Sequence, residues 1–174
     1  MRYNRHMNER LAIGPLETSC GRYHAVFTAH GLARLSFPTD DPSECARWQA
    51  RWAPTAEVRA DDLRLSELAA ELNAYFAGQL RRFSMPLDLH GTPFQRQVWQ
   101  AVLAIGYGEC RSYAAIAAAI GTPRAYRAVG AANGANPVPI VVPCHRLLGS
   151  NGALVKYGGS LALKQQLLRL EGAL

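Results

Sequence analysis

A thiol, an imidazole and a guanidinium stand consecutively at Cys144-His145-Arg146, closing the run Asn136-Pro137-Val138-Pro139-Ile140-Val141-Val142-Pro143. Each proline lacks an amide donor and pushes its predecessor towards extended geometry, so this run cannot be a helix. Between the prolines, Ile140-Val141-Val142 is wholly apolar and reads as buried, extended chain. The thiol therefore arrives at the end of a stiff, buried segment. It becomes a nucleophile only as thiolate, and apolar burial alone raises its pKa. A neighbouring base is the usual remedy, and His145 is adjacent. A free cysteine is also often just a small buried hydrophobe. The pair by itself leaves both readings open.

Other candidate groups are sparse. Cysteines stand at 20, 45, 110 and 144 without a CxxC pair, which fits reduced thiols better than a disulfide framework or a zinc knuckle. Cys20, His24 and His30 lack a clustered fourth ligand, so no metal site is expected. Glu171 lies four residues after Leu167, at the edge of an apolar helical stripe. There it is either a solvated neighbour or a buried partner for a histidine.

The elements that must hold these groups follow from periodicity and punctuation. Residues 1–17 read as an N-terminal extension, polar at its start and without the apolar core of a signal peptide. From Thr18 to Pro38, alternation about a His30-Gly31 turn predicts a β-hairpin. Asp41-Pro42 opens a short helix to Trp52, a strand covers Glu57–Arg59, and Leu65, Leu68, Leu72, Tyr75 and Phe76 mark a helix from Asp62 to Gln79. Phe83–Leu89, broken by Pro86, reads as an edge strand. Residues 18–89 thus form a small α/β support domain.

Residues 90–174 form the second domain. Thr92 and Pro93 start a helix reaching about Ile105, with Phe94, Val98, Ala101, Val102 and Ile105 inward. Ser112 caps a second helix, Gly121-Thr122-Pro123 turns the chain, and a third helix runs from Arg124 to about Asn133. Helix, short glycine turn, helix is the outline of a helix-turn-helix. The third helix is slim, with Ala125, Ala128, Gly130, Ala131 and Ala132 around one prominent cation, Arg127. Such a cylinder suits close packing on another helix or entry into a nucleic-acid groove. Gly158-Gly159-Ser160 then leads into a last helix with Leu163, Leu167, Leu170 and Leu174 inward.

Charge favours the groove. The 174-residue chain carries net charge +6. Residues 1–91 hold eleven basic and eleven acidic side chains, which cancel, whereas residues 92–174 hold eight basic ones against only Glu109 and Glu171. A basic half beside a neutral half is the footprint of a polyanion partner. No run approaches the roughly 20 apolar residues that span a bilayer. The expectation is a cytoplasmic protein with no membrane partner.

With these segments in place, the sequence resembles the O6-alkylguanine-DNA alkyltransferases, the methylated-DNA–protein-cysteine methyltransferases of DNA repair. The likeness runs from about Thr18 to Glu171. It is densest in Phe94-Gln95-Arg96-Gln97-Val98-Trp99, Ser112-Tyr113, Arg127-Ala128-Val129-Gly130, Asn136-Pro137, Pro143-Cys144-His145-Arg146 and Tyr157-Gly158-Gly159. The resemblance implies an α/β fold: a small roll with a ribonuclease-H-like antiparallel sheet plus helices, then a mostly helical domain with a winged-helix-like helix-turn-helix. It implies irreversible transfer of an alkyl group from O6 of a flipped guanine to Cys144, once per molecule and without a cofactor. His145 would take the thiol proton through a water, and Glu171 would orient the imidazole, the logic of a nucleophile, base and orienting acid. Asn136 would brace the turn as a hinge, and Tyr113 would hydrogen-bond guanine N3. The partner implied is double-stranded DNA carrying O6-alkylguanine, met in the minor groove with little sequence preference by a monomer. Arg127 would fill the vacated stack, and Ala125, Tyr126, Ala128 and Gly130 would be further DNA-binding positions. Pro139, Leu147, Tyr157 and Gly158 would line the pocket.

This chain departs from the family pattern at three places. Tyr126 stands where relatives commonly have a small residue, and Gly158 lacks a serine hydroxyl that some relatives carry. Thr28 and Ala33 occupy two positions that are zinc ligands in the zinc-containing members, so no metal is expected. Rival readings are a lesion-binding alkyltransferase-like relative without transfer, a helix-turn-helix regulator with an incidental thiol, and a Cys-His hydrolase. Cys144 argues against the first; the second requires sequence-specific binding and the third requires turnover.

Overall fold

A computed structural model describes residues 10–41, 43–59 and 62–174, in two units, 1–90 and 91–174. The first unit is built on a sheet of order β3-β2-β1-β4, from β1 (Arg10–Thr18), β2 (Gly21–Thr28), β3 (Gly31–Ser36) and β4 (Glu57–Arg59). The alternation about His30-Gly31 produces the β2–β3 hairpin, as the sequence predicts. Side chains alternate across each strand, so the sheet has two apolar faces. Leu11, Val26 and Ala33 pack with Cys45, Trp48 and Ala53 of the segment holding α1 (Glu44–Trp52). On the opposite parity, Gly14 leaves room for Leu65 of α2 (Asp62–Phe76), since a Cβ there would lie 2.7 Å from Leu65 Cδ1.

Several expectations for this unit are corrected. Residues 10–17 are no extension: they form β1, bonded to β2 on one side and β4 on the other. The polar start hid a strand whose fully buried residues are Leu11, Ala12 and Leu16. The sheet is mixed rather than antiparallel, because α1 carries the chain across to lay β4 parallel to β1. Helix α1 begins at Glu44 after Ser43, later than Asp41; Pro42, like residues 1–9, lies outside the described residues. Phe83–Leu89 makes only an isolated bridge, Leu87 to Leu32, since Pro86 has no amide to continue a ladder.

The second unit begins with α3 (Pro93–Leu103), whose Thr92 side chain accepts from the Gln95 amide while the Gln95 side chain accepts from the Thr92 amide. This capping box satisfies two donors that a helix start otherwise leaves open. The inward face is Val98, Trp99 and Val102; Trp99, absent from the predicted stripe, donates its indole N–H to Ala132 O at 2.9 Å. Helix α4 (Tyr113–Ala119), capped by Ser112, and α5 (Tyr126–Gly134) flank the turn at Gly121. Arg124 and Ala125 precede α5 instead of opening it, with Ala125 as its N-cap. Two short parallel strands, β5 (Arg111–Ser112) and β6 (Leu147–Leu148), pair with each other. Ser160 caps α6 (Leu161–Leu170), whose buried face is Lys164, Leu167 and Leu168, continued by Glu171; Leu174 is 56% exposed, contrary to expectation.

Candidate functional site

The segment from Pro137 to Arg146 is buried as predicted but is not extended. Val142 N bonds back to Val138 O at 2.9 Å, and Ile140 sits at φ 73°. A β-branched residue at positive φ is a genuine outlier, holding about 1–3 kcal/mol of strain that its surroundings must over-determine. Asn136 supplies much of that restraint. Its amide donates to Val142 O at 2.9 Å and its carbonyl accepts from Val138 N at 3.0 Å, closing the loop from inside. Proline spacing signals stiffness but carries no sign of φ, so the turn was not readable in advance. Cys144, His145 and Arg146 leave this loop as one turn of 3-10 helix.

All three are buried: Cys144 is 5% exposed, His145 0% and Arg146 7%. Burial pushes the Cys144 thiol up, partly relieved by hydrogen bonds from the side chains of Asn136 and Tyr157 and from the amides of Ile140 and Cys144. Burial pushes His145 down, against the opposing pull of Glu171. His145 Nε2 lies 3.0 Å from Glu171 Oε1. A neutral ring that donates Nε2–H to that carboxylate keeps its basic lone pair on Nδ1.

Glu171 is thus the buried partner rather than the solvated neighbour. It is also shared. Arg146 donates Nε to Oε2 at 2.9 Å and a guanidinium N–H to Oε1 at 2.8 Å, while another N–H meets Ile105 O at 2.6 Å. Gly108 N donates to Oε2 at 3.3 Å, and Gly108 has φ 77° with no room for a Cβ, which would lie 2.9 Å from Glu171 O. The sequence reading gave Arg146 no partner. Its partners, Glu171 and Ile105 O, come from distant chain, so no local signal announced them.

The remaining predicted residues fall into two groups. Near the thiol, Tyr113 is half-buried, and burial followed by the proximity of Cys144 raises its phenol pKa, so it stays a protonated donor. Its ring flanks Gly130, where a Cβ would stand 3.8 Å away. Pro139, Leu147 and Tyr157 are buried, and Gly158 is exposed beside Tyr157. On the outer side of α5, Tyr126, Arg127 and Ala128 are exposed, with Ala125 and Gly130 half-buried. Two residues outside the predicted set tie these groups together. Asn133 on α5 donates to Cys144 O at 3.3 Å, and the fully buried Lys164 donates to Leu147 O and, at 3.4 Å, to Val155 O. Among the described residues no group of His, Cys, Asp and Glu is placed to hold a metal ion.

The arrangement can do one kind of chemistry: a buried thiol, a neutral imidazole fixed by a carboxylate, and a phenolic donor, all beneath a helix with an exposed cation. Residues 93–173 match the family model described as the 6-O-methylguanine DNA methyltransferase DNA-binding domain, and residues 16–89 match that of its ribonuclease-like domain. The methylated-DNA–protein-cysteine methyltransferase of Mycobacterium tuberculosis is 51% identical over 138 residues, 79% of this chain and 77% of the relative. The inducible enzyme of that name from Bacillus subtilis is 40% identical over 149 residues, 86% and 83% of the two chains. The crystal structure of Mycobacterium tuberculosis OGT in complex with DNA is similar with TM-score 0.78 and 38% identity, covering 94% of this chain and 93% of that one.

Proposed function

The chain belongs to the methylated-DNA–protein-cysteine methyltransferase family, and from that membership we propose a single-use repair reaction at Cys144. It repairs DNA by moving an alkyl group to a protein cysteine, with DNA as its partner. Cys144 is the acceptor: its sulfur attacks the carbon attached to guanine O6, that C–O bond breaks, and a thioether forms. The proton leaves the thiol for His145 through a water, and Glu171 stabilises the imidazolium that results. Tyr113 donates to guanine N3 and neutralises the leaving base, which is general-acid assistance. The thioether cannot revert, so each molecule acts once.

The observation that carries this reading is the joining of Cys144-His145 to Glu171 within one buried turn, His145 Nε2 being 3.0 Å from the carboxylate. A buried thiol cannot meet an O6 substituent inside a stacked duplex, so the nucleotide must flip out, at a cost of a few kcal/mol. Arg127, exposed on a helix of small residues, is suited to fill the vacated stack from the minor groove. Pro139, Leu147, Tyr157 and the Gly158 amide receive the base. The protein acts as a monomer on O6-alkylguanine in duplex DNA with little sequence preference, its binding weakening steeply with salt.

Arg127→Ala tests the flipping role. The rate on duplex O6-methylguanine should fall much more than the rate on free O6-benzylguanine, which needs no flipping. Equal losses on the two substrates would remove Arg127 from the stack.

A further inference from the structure

Among the described residues Tyr126 is the one aromatic side chain among the exposed large hydrophobic residues, at 46% exposure. It opens α5, whose exposed residues other than Arg127, namely Ala128, Ala131 and Gly134, are small. An aromatic ring left in water on an otherwise smooth surface calls for a reason. The ring has one defined neighbour: the Arg127 guanidinium carbon lies 5.8 Å from its centroid. Consecutive helical residues point about 100° apart and do not normally meet. The arginine therefore folds back across the helix start to reach the ring. That distance is just inside the roughly 6 Å range of cation–π attraction.

We propose that Tyr126 is a positioning residue for Arg127: its ring holds the guanidinium over the first turn of α5 before DNA arrives. The inference rests on the reading of Arg127 as the group that enters the stack. An unrestrained arginine samples many rotamers, and insertion must freeze one of them. A ring that already narrows the set leaves less freedom to lose on insertion. The contact persists as the guanidinium enters the stack, so the attraction favours the inserted state instead of opposing it. The aromatic face, rather than the phenol, does this, because attraction to a cation comes from the ring quadrupole.

The test compares Tyr126→Ala, Tyr126→Phe, Arg127→Ala and the double variant Tyr126→Ala/Arg127→Ala with the native chain. For each, the rate on duplex O6-methylguanine is divided by the rate on free O6-benzylguanine, so that any general damage to the site cancels. Tyr126→Ala should lower this ratio about two- to fivefold, the size of an exposed cation–π contact. Tyr126→Phe should keep the native ratio, and Tyr126→Ala should add nothing in the Arg127→Ala background. A native or higher ratio for Tyr126→Ala overturns the proposal. So does a Tyr126→Phe ratio as low as that of Tyr126→Ala, which would assign the effect to the hydroxyl, or full additivity in the double variant. If Arg127→Ala itself keeps the native ratio, the stack-filling reading fails; if only Tyr126→Ala does, that reading stands and the positioning role falls.

Discussion

Replacing Arg146 with methionine should loosen the second unit and make His145 more basic at the same time. Arg146 is 7% exposed and donates two hydrogen bonds to Glu171, at 2.9 and 2.8 Å, and one to Ile105 O at 2.6 Å. Removing one member of a buried ion pair typically costs about 3–5 kcal/mol, because the other charge stays buried without compensation. Glu171 would retain His145 and the Gly108 amide, so a loss near the lower end, about 3 kcal/mol, is expected. Methionine fills part of the vacated volume without adding a polar group. The electrostatic consequence runs through His145. Burial is the main force holding its pKa down, Glu171 opposes it, and Arg146 adds to the lowering. Without the guanidinium, Glu171 acts on the imidazole unshared, and the pKa rises. The acid limb of the rate–pH profile for duplex O6-methylguanine should therefore move to higher pH. Urea unfolding followed by circular dichroism reads the first effect, and single-turnover alkyl transfer across pH reads the second. An unchanged acid limb in a folded Arg146→Met protein would refute the shared-carboxylate account.

Further outcomes follow from the same geometry. Because His145 is held below its ordinary value, the unfolded chain takes up a proton, as pH falls through about 6.5, that the folded chain refuses. Stability should thus be full above that pH and decline below it, and His145→Gln should flatten the decline in urea melts. Asp88, also lowered, acts only in the separate window beneath about 3.9. Asn136→Ala removes both bonds that close the Ile140 turn, costing about 1–3 kcal/mol by ordinary hydrogen-bond values. It should also slow alkyl transfer, since Asn136 relieves part of the burial penalty on the thiolate; a native rate at full folding would count against this. Thr92→Ala should cost about 1 kcal/mol in unfolding experiments, through loss of the cap. The alkyl-transfer rate of the folded protein should not change.

The parts of the fold legible in sequence were those governed by local chemistry. Thr92-Pro93 and Ser112 announced helix starts by side-chain capping, and both cap as their type requires. Strand β1 was hidden because Pro15 and the flanking charges obscure its alternation, and one of its two partners, β4, is supplied by distant chain. Residue pattern alone left Glu171 open between two environments and gave Lys164 none, for a related reason. Charges count as exposed until a partner is known, and the partners here are Leu147 O, Val155 O, Arg146 and His145, brought in by tertiary folding. Within the site, the order of motifs identified the chemistry, while the positive φ of Ile140 and the sharing of Glu171 depend on three-dimensional closure that no spacing encodes.

The central claim is that Cys144 receives the alkyl group and keeps it. Incubating the protein with excess duplex carrying O6-methylguanine, then measuring peptide masses, tests this directly. One methyl group per protein molecule on the peptide containing Cys144, with repaired guanine in equal amount, is the predicted result. An unmodified Cys144 peptide alongside repaired DNA, or more than one guanine repaired per molecule, would contradict it.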